Sequence, residues 1–330
     1  MDGLDASALM ADAKLAGASF AVIRGGEVDA IEALGYANLA TQTRARTSTV
    51  FEAASLGKPV FAYAVLKLAD AGLLDLDAPL HRLASGFIDA DGCAETVTAR
   101  HVLCHTSGLP NWRSASRPLK CHFVPGSRFS YSGEGYVYLQ RAVESLTGEP
   151  LDALVGRLVF GPLGMNRSSY DGASLPRADV AVPHDETGKP MPKLWQKPNA
   201  AGSLHSTAED YARFLQAVLR AEGLSAKMAA KWLQPNLRVP IPFFAALDPT
   251  GDSPLHPTVA WGLGWGVEGN SEVFFHWGSN PGFKSFVVGS ISDASALVVL
   301  STGPAELALG PALTAALLPG PRPCMDWFGV

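Results

Sequence analysis

Ser55-Leu56-Gly57-Lys58 is the only Ser-x-x-Lys in the chain. In a helix, residues three apart share a face, with Cβ atoms about 5–6 Å apart. A hydroxyl and an amine can touch at that spacing. A serine needs a neighbouring base before it attacks a carbonyl. A lysine serves as that base only if burial or a nearby cation pulls its pKa down from about 10.4. The residues that follow favour this. Val60 to Ala71 is apolar almost all round, interrupted by Lys67 and Asp70, and Gly72 is a C-cap residue. A helix apolar on every side is buried on every side. Pro59 fits a helix only in the first turn, where amides have no intrahelical acceptor. The helix therefore begins near Ser55, where free N–H groups and the positive dipole end converge and suit an oxyanion. The plain alternative is a serine N-cap followed by a surface lysine.

Two further residues carry chemistry. Tyr131, in Phe129-Ser130-Tyr131-Ser132-Gly133, sits between a Pro-Gly turn and a helix, so its phenol can face a site. His276-Trp277-Gly278-Ser279 ends an apolar strand, and the glycine lets a ligand approach the backbone. Taken singly, the first reads equally as a packed aromatic and the second as an ordinary strand-to-turn boundary. No Gly-x-Ser-x-Gly elbow is present.

In the order Ser-x-x-Lys, Tyr-Ser-x and His-x-Gly, the chain resembles the serine β-lactamase and penicillin-binding-protein superfamily. The likeness is greatest to class C β-lactamases, D-aminopeptidases and family VIII carboxylesterases. The phrases His105–Pro110, Pro125–Ser132, Gly161–Met165 and Ala201–Leu204 have family counterparts, so the resemblance spans roughly residues 15–302. It implies an acylated Ser55, with Lys58 and Tyr131 shuttling protons. It also implies an oxyanion hole from the backbone N–H groups of Ser55 and Ser279, with His276 near Tyr131 and substrate. Gly133, Trp277, Gly278 and, as a loop residue lining an acyl pocket, Trp195 complete the expected substrate contacts. No cofactor and no metal are expected.

Two departures from the family pattern bear on substrate. Gly133 stands where relatives have an asparagine that contacts the amide side chain of β-lactams. His276 stands where many have a lysine that holds a carboxylate, and a histidine is only partly charged near neutral pH. Both point to a small uncharged ester. The alternatives are a β-lactamase or D-amino-acid-specific peptidase acting on amides, and a non-catalytic binding protein of the same fold.

The elements that must position these residues read as follows. A helix rich in Ala and Leu, up to about residue 18, precedes a hairpin, Ser19–Arg24 and Glu27–Gly35, about Gly25-Gly26. Helical stretches follow at Ala78–Leu83, Thr98–Leu103, Gly135–Thr147 and Leu151–Phe160. Residues 171–203 read as a long loop. Ser206-Thr207-Ala208-Glu209 reads as a capping box opening the helix Glu209–Ala221. Pro235–Pro257 reads as irregular. Three strands (Glu272–Trp277, Phe283–Ser290, Ala296–Ser301) and a helix, Ala305–Leu318, end the chain.

Strands at both ends imply an α/β (α+β) fold with a mostly antiparallel sheet built from the termini and flanked by helices. Residues 1–75 and 205–330 would form the sheet domain, and 76–204 a mainly helical and loop insertion.

Composition narrows the function classes. The chain has 330 residues, 47% hydrophobic and 17% charged, with net charge −5 and no basic run. That is a globular chain, with no nucleic-acid or anionic-membrane surface and no apolar run long enough to span a bilayer. The N-terminus lacks a basic region followed by an apolar block, so a cytoplasmic protein with four free thiols is expected. Cys93, His101, Cys104, His105, Cys121 and His122 crowd together, but their spacing matches no common zinc pattern. Ser107 belongs to a turn, and Trp261, Trp265, Phe274, Phe275 and Trp277 read as core and wall.

Overall fold

The apolar run before Gly25-Gly26 and the run after it do form a hairpin. Both glycines have positive φ (58° and 81°), the conformation of a tight two-residue hairpin turn. The computed structural model describes residues 6–89, 92–192, 197–269 and 272–330. Its first elements are α1 (Ala6–Asp12), β1 (Gly17–Arg24), β2 (Glu27–Asn38), β3 (Thr43–Arg44), β4 (Phe51–Ala54) and α2 (Gly57–Asp70). Then come α3 (Ala99–Leu103), α4 (Gly133–Thr147), α5 (Leu151–Val155), α6 (Gly161–Leu163), β5 (Leu204–Ser206), α7 (Ala208–Arg220) and α8 (Ala226–Trp232). The chain continues through β6 (Leu237–Pro240), β7 (Leu255–Trp261), β8 (Gly266–Glu268), β9 (Val273–Asn280), β10 (Phe283–Ser290) and β11 (Ser295–Thr302). It finishes with α9 (Gly310–Leu317) and α10 (Pro323–Phe328).

Two compact units result. The first takes the described parts of Met1–Val60, Val155–Glu222 and Phe275–Pro321; the second takes Phe61–Leu154, Gly223–Phe274 and Arg322–Val330. These do not coincide with a division at 75/76 and 204/205. Residues 155–204 cluster with the terminal strands, and 223–274 cluster with the helices.

In the first unit the strand order is β3-β2-β1-β11-β10-β9, so the N-terminal hairpin is zipped antiparallel onto the last strand, Phe20 opposite Val299. β10 and β11 are buried along their whole length, and β1 everywhere but Arg24. Burial on both faces is why they read as continuous apolar runs rather than as alternating ones. Helix α7 packs on β1 and β11, and α9 on β10 and β11. A separate pair, β4 with β5, sets Glu52 opposite His205.

The second unit buries Tyr136, Leu139, Ala142 and Val143 of α4, which packs on α3, and also buries Trp232, Trp261 and Trp265. Strands β6, β7 and β8 belong here.

Several expectations need correction. The capping box is one residue out of register: Thr207 is the N-cap, accepting from Asp210 N at 3.1 Å. Ser206 is instead committed to β5, opposite Phe51. The stretch read as irregular, Pro235–Pro257, holds β6 and the start of β7. Pro257 is accommodated because the pairing skips register between Arg238 and Pro240. The last apolar helix starts at Gly310 rather than Ala305, because Leu307 and Ala308 both have positive φ. Ala78–Leu83 yields only one tight turn, Leu80–Arg82. Four free thiols are not found: Cys93 and Cys121 form a disulfide, and Cys104 and Cys324 are free and buried. Among the described residues no helix is long and apolar enough to cross a membrane.

Candidate active site

Ser55 is delivered by a strand that is forced to stop. The β4–β5 register slips between Glu52 and Ala54, and Ala54 takes φ +50°, a left-handed conformation that costs a residue with a Cβ about 1–2 kcal/mol. The chain then turns through Leu56 N→Ala53 O (3.1 Å) and Lys58 N→Ser55 O (3.0 Å) into α2. Two buried phenols clamp the turn: Tyr211 Oη donates to Leu56 O at 3.0 Å, and Tyr170 Oη donates to Gly57 O. Pro59 falls in the first turn of α2, as its missing N–H requires. Local strain held by surrounding hydrogen bonds is characteristic of working sites.

Lys58 is fully buried, with its Nζ 2.9 Å from Ser55 Oγ. Burial drives its pKa well below the ordinary lysine value. The amine donates to Ala201 O at 2.5 Å, and Ser55 Oγ donates to the same carbonyl at 3.3 Å. A neutral amine bonded this way retains a lone pair for the serine proton. Serine, amine and carbonyl thus form a tight triangle.

The carbonyl is itself held in place. Asn199 Oδ1 accepts from Ala201 N (2.8 Å), Asn199 O accepts from Ser203 N (3.1 Å), and Asn199 N donates to Ser203 Oγ (2.8 Å). From β9, buried Asn280 donates its amide to Gly202 O at 2.9 Å and to the carboxylate of buried Glu52. His205 Nε2 lies 3.9 Å from the other Glu52 oxygen. Asn280, Glu52, Asn199 and the Ala201 carbonyl were not anticipated. A carbonyl leaves no mark in a sequence. Glu52 did leave one, as a lone acid inside the apolar run Val50–Ala54.

His276 is buried, and its Nδ1 lies 2.7 Å from Trp277 O. A carbonyl only accepts, so Nδ1 carries the proton. Burial first, and then the charge of Lys58, hold the pKa down to about 3. The expectation of a partly charged histidine is corrected: His276 is neutral at physiological pH. Trp277 is buried beside it, the two rings stacked with centroids 5.3 Å apart.

Gly278 is where the backbone of β9 approaches the serine. A Cβ there would lie 2.2 Å from Ser285 Oγ, 2.6 Å from Ala53 O and 3.0 Å from Ser55 N. Ser285 Oγ donates to Ala53 O at 2.7 Å, fixing the carbonyl behind the serine. The next residue, Ser279, is exposed, and its Oγ donates to Glu306 at 2.9 Å.

Tyr131 and Gly133 lie in the second unit. Tyr131 is buried, its ring stacked on His105 at 4.2 Å, and its N–H donates to Ala246 O at 2.7 Å. His105, itself at φ +54°, accepts from Ser132 N at 3.0 Å through Nδ1. Gly133 opens α4 with its N–H on Asn111 Oδ1 (3.0 Å), and a Cβ there would meet the Trp112 ring at 2.7 Å. Ser107 is buried in the turn before it, and Leu109 N donates to its hydroxyl at 3.3 Å. Trp195 lies outside the described residues. The Cys/His cluster resolves into the disulfide, into His101 as part of the α3 cap, and into Cys104, whose thiol burial pushes up to about 12.

Comparison with known proteins identifies the family and the fold. The Beta-lactamase family model matches residues 5–318. Esterase EstB of Burkholderia gladioli is 37% identical over 211 residues, 54% of this chain and 52% of that protein. Penicillin-binding protein 4* of Bacillus subtilis (strain 168) is 26% identical over 318 residues, 84% of this chain and 66% of that one. The chain thus spans one half to two thirds of these curated relatives. A solved penicillin-binding protein from Bacillus halodurans superposes with TM-score 0.77 at 26% identity, over 96% of this chain and 99% of that one. With the match to the family model running almost end to end, the chain belongs to the Beta-lactamase family, a family of serine hydrolases.

Proposed function

We propose that the protein hydrolyses small uncharged carboxylic esters through an acyl-Ser55 intermediate. The observation that carries this is the buried, depressed-pKa amine of Lys58, 2.9 Å from Ser55 Oγ. Lys58 takes the hydroxyl proton as Oγ bonds to the ester carbonyl carbon. The oxyanion accepts hydrogen bonds from the N–H groups of Ser55 and Ser279. Ser55 N donates to no group among the described residues. Collapse breaks the ester C–O bond, and the leaving alkoxide takes a proton from the Lys58 ammonium. Water then attacks the acyl carbon, releasing the acid and regenerating Ser55. Nothing in this cycle calls for a cofactor.

Support for esters comes from two positions. Gly133 offers no side-chain amide, and neutral His276 offers no charge for a substrate carboxylate. The named esterase relative, at 37% identity over half the chain, points the same way. A second reading, cleavage of strained or D-configured amides, is favoured by the penicillin-binding relative's longer share of this chain.

The test is covalent labelling together with turnover. A fluorophosphonate should modify Ser55 alone; Ser55→Ala should abolish hydrolysis of a short-chain chromogenic ester. Lys58→Arg, which cannot give up its proton, should be as damaging as Lys58→Ala. An adduct mapped to Ser107 or Ser279, or Lys58→Arg turnover within about threefold of wild type, would overturn the assignment. A chromogenic cephalosporin hydrolysed as efficiently as the ester would favour the second reading.

A further inference from the structure

Beyond the residues that act on the carbonyl, β10 carries a lysine at a place where a lysine needs explaining. Lys284 is buried, its side chain 11% exposed, yet its Nζ reaches Ser279 Oγ and Glu306 Oε1, each at 2.6 Å. Ser279 Oγ donates to the same oxygen at 2.9 Å. The three groups close a ring whose outermost member, Glu306, has a side chain 60% exposed. Glu306 is presented by the segment just before Leu307 and Ala308, the two residues at positive φ. The strand alternates as it must: Gly278 faces Ala53 and Ser55, while Ser279 turns its hydroxyl outward to the ion pair.

The chemistry follows from Ser279. Its N–H is separated from that hydroxyl only by Cα and Cβ. A substrate whose carbonyl oxygen reaches the N–H therefore passes the Lys284–Glu306 pair. Among the described residues Lys284 is the cation bonded to this residue, and Glu306 neutralises it while presenting a carboxylate to solvent. We propose that Glu306 sets the charge selectivity of the site: it masks Lys284 and repels substrates that carry a carboxylate beside the scissile carbonyl, and its removal uncovers Lys284 as a carboxylate anchor. The inference rests on the ester-hydrolase reading above and adds the substrate charge. At an effective dielectric between 20 and 80, a like charge about 6 Å away weakens binding roughly three- to a hundredfold. The effect is therefore measurable.

The experiment compares 4-nitrophenyl butyrate with the mono-4-nitrophenyl ester of glutaric acid, which carries a free carboxylate. The readout is the anionic-to-neutral ratio of kcat/KM. Wild type should favour the neutral ester. Glu306→Gln should raise the ratio at least fivefold, and adding Lys284→Met should abolish that gain. Salt supplies a second measure that does not depend on how the double variant folds. Raising ionic strength should increase the ratio in wild type, by screening repulsion, and decrease it in Glu306→Gln, by screening attraction. A ratio unchanged within twofold in Glu306→Gln, or salt effects of the same sign in both proteins, overturns the selectivity inference alone. Failure of wild type to turn over either ester overturns the hydrolase reading, and the inference with it.

Discussion

His276 is where the site's electrostatics make a quantitative demand on stability. In the folded protein its pKa is held to about 3, against 6.5 when unperturbed. Between those values the unfolded chain binds a proton that the native state refuses. The native state therefore loses stability as pH falls below about 6.5, by up to about 1.4 kcal/mol per pH unit, until pH approaches 3. Going from pH 7.5 to 5.0, the unfolded histidine gains roughly 2 kcal/mol of protonation free energy and the native one gains almost none. His276→Asn keeps a side-chain N–H for the Trp277 carbonyl but removes the titration. Urea unfolding of wild type and variant at both pH values isolates the term, because the other histidines held low by burial, His101, His184 and His256, are common to both proteins. The stability lost between pH 7.5 and 5.0 should be about 2 kcal/mol smaller in His276→Asn. With unchanged m-values, that appears as a smaller shift of midpoint. Equal losses in the two proteins would show that His276 is protonated in the native state at pH 5.0, and the neutral-histidine argument would fall.

Two further substitutions probe close approaches in the backbone. Gly278→Ala would put a methyl 2.2 Å from Ser285 Oγ and 3.0 Å from Ser55 N. Fluorophosphonate labelling of Ser55 should slow at least tenfold, and an unchanged rate would remove Gly278 from the site. Gly133→Asn would drive its Cβ to 2.7 Å from Trp112 and 2.9 Å from Asn111 O. It should lower stability by about 1–3 kcal/mol, the usual cost of overpacking. A shortened Trp112→Ala background should recover part of that loss in a melting experiment, and equal losses in both backgrounds would mean the tryptophan is not the obstacle.

How much of this was legible in the sequence depends on what kind of group makes each contact. The contact between Ser55 and Lys58 was, because i,i+3 spacing and Pro59 fix both the face and the start of the helix. The terminal strands were, because their pairing, β1 on β11, rests on apolar runs that are buried on both faces. The division of the chain was not. Residues 155–204 look like part of a loop-rich insertion, yet β5 at their end pairs with β4 and carries the turn that holds Ala201. That is a long-range pairing between two short strands, too brief to signal in either one. The disulfide was not legible either, since four cysteines in 330 residues carry no framework pattern. The shorter of the two hydrogen bonds described for the Lys58 amine ends on the Ala201 backbone carbonyl, and a carbonyl is the same in every residue type.

Charge conservation within the site ties these observations to substrate. On the proposed reading, acylation begins from a neutral serine, a neutral amine and a neutral ester, and it reaches an oxyanion beside an ammonium. The net charge stays at zero. Each new charge has a partner already in place: N–H dipoles for the oxyanion, and the Ala201 carbonyl at 2.5 Å for the ammonium. On that reading an anionic substrate would add a charge that none of the described partners of Ser55 or Lys58 offsets. His276 is held neutral by burial and by Lys58 itself, so the two cannot both be cations. The nearby Lys284 is committed to Glu306. On that reading, the burial that would make Lys58 a base also sets the substrate preference. Relieving it, for instance by opening Lys58 to water, would restore the lysine's charge and weaken it as the base.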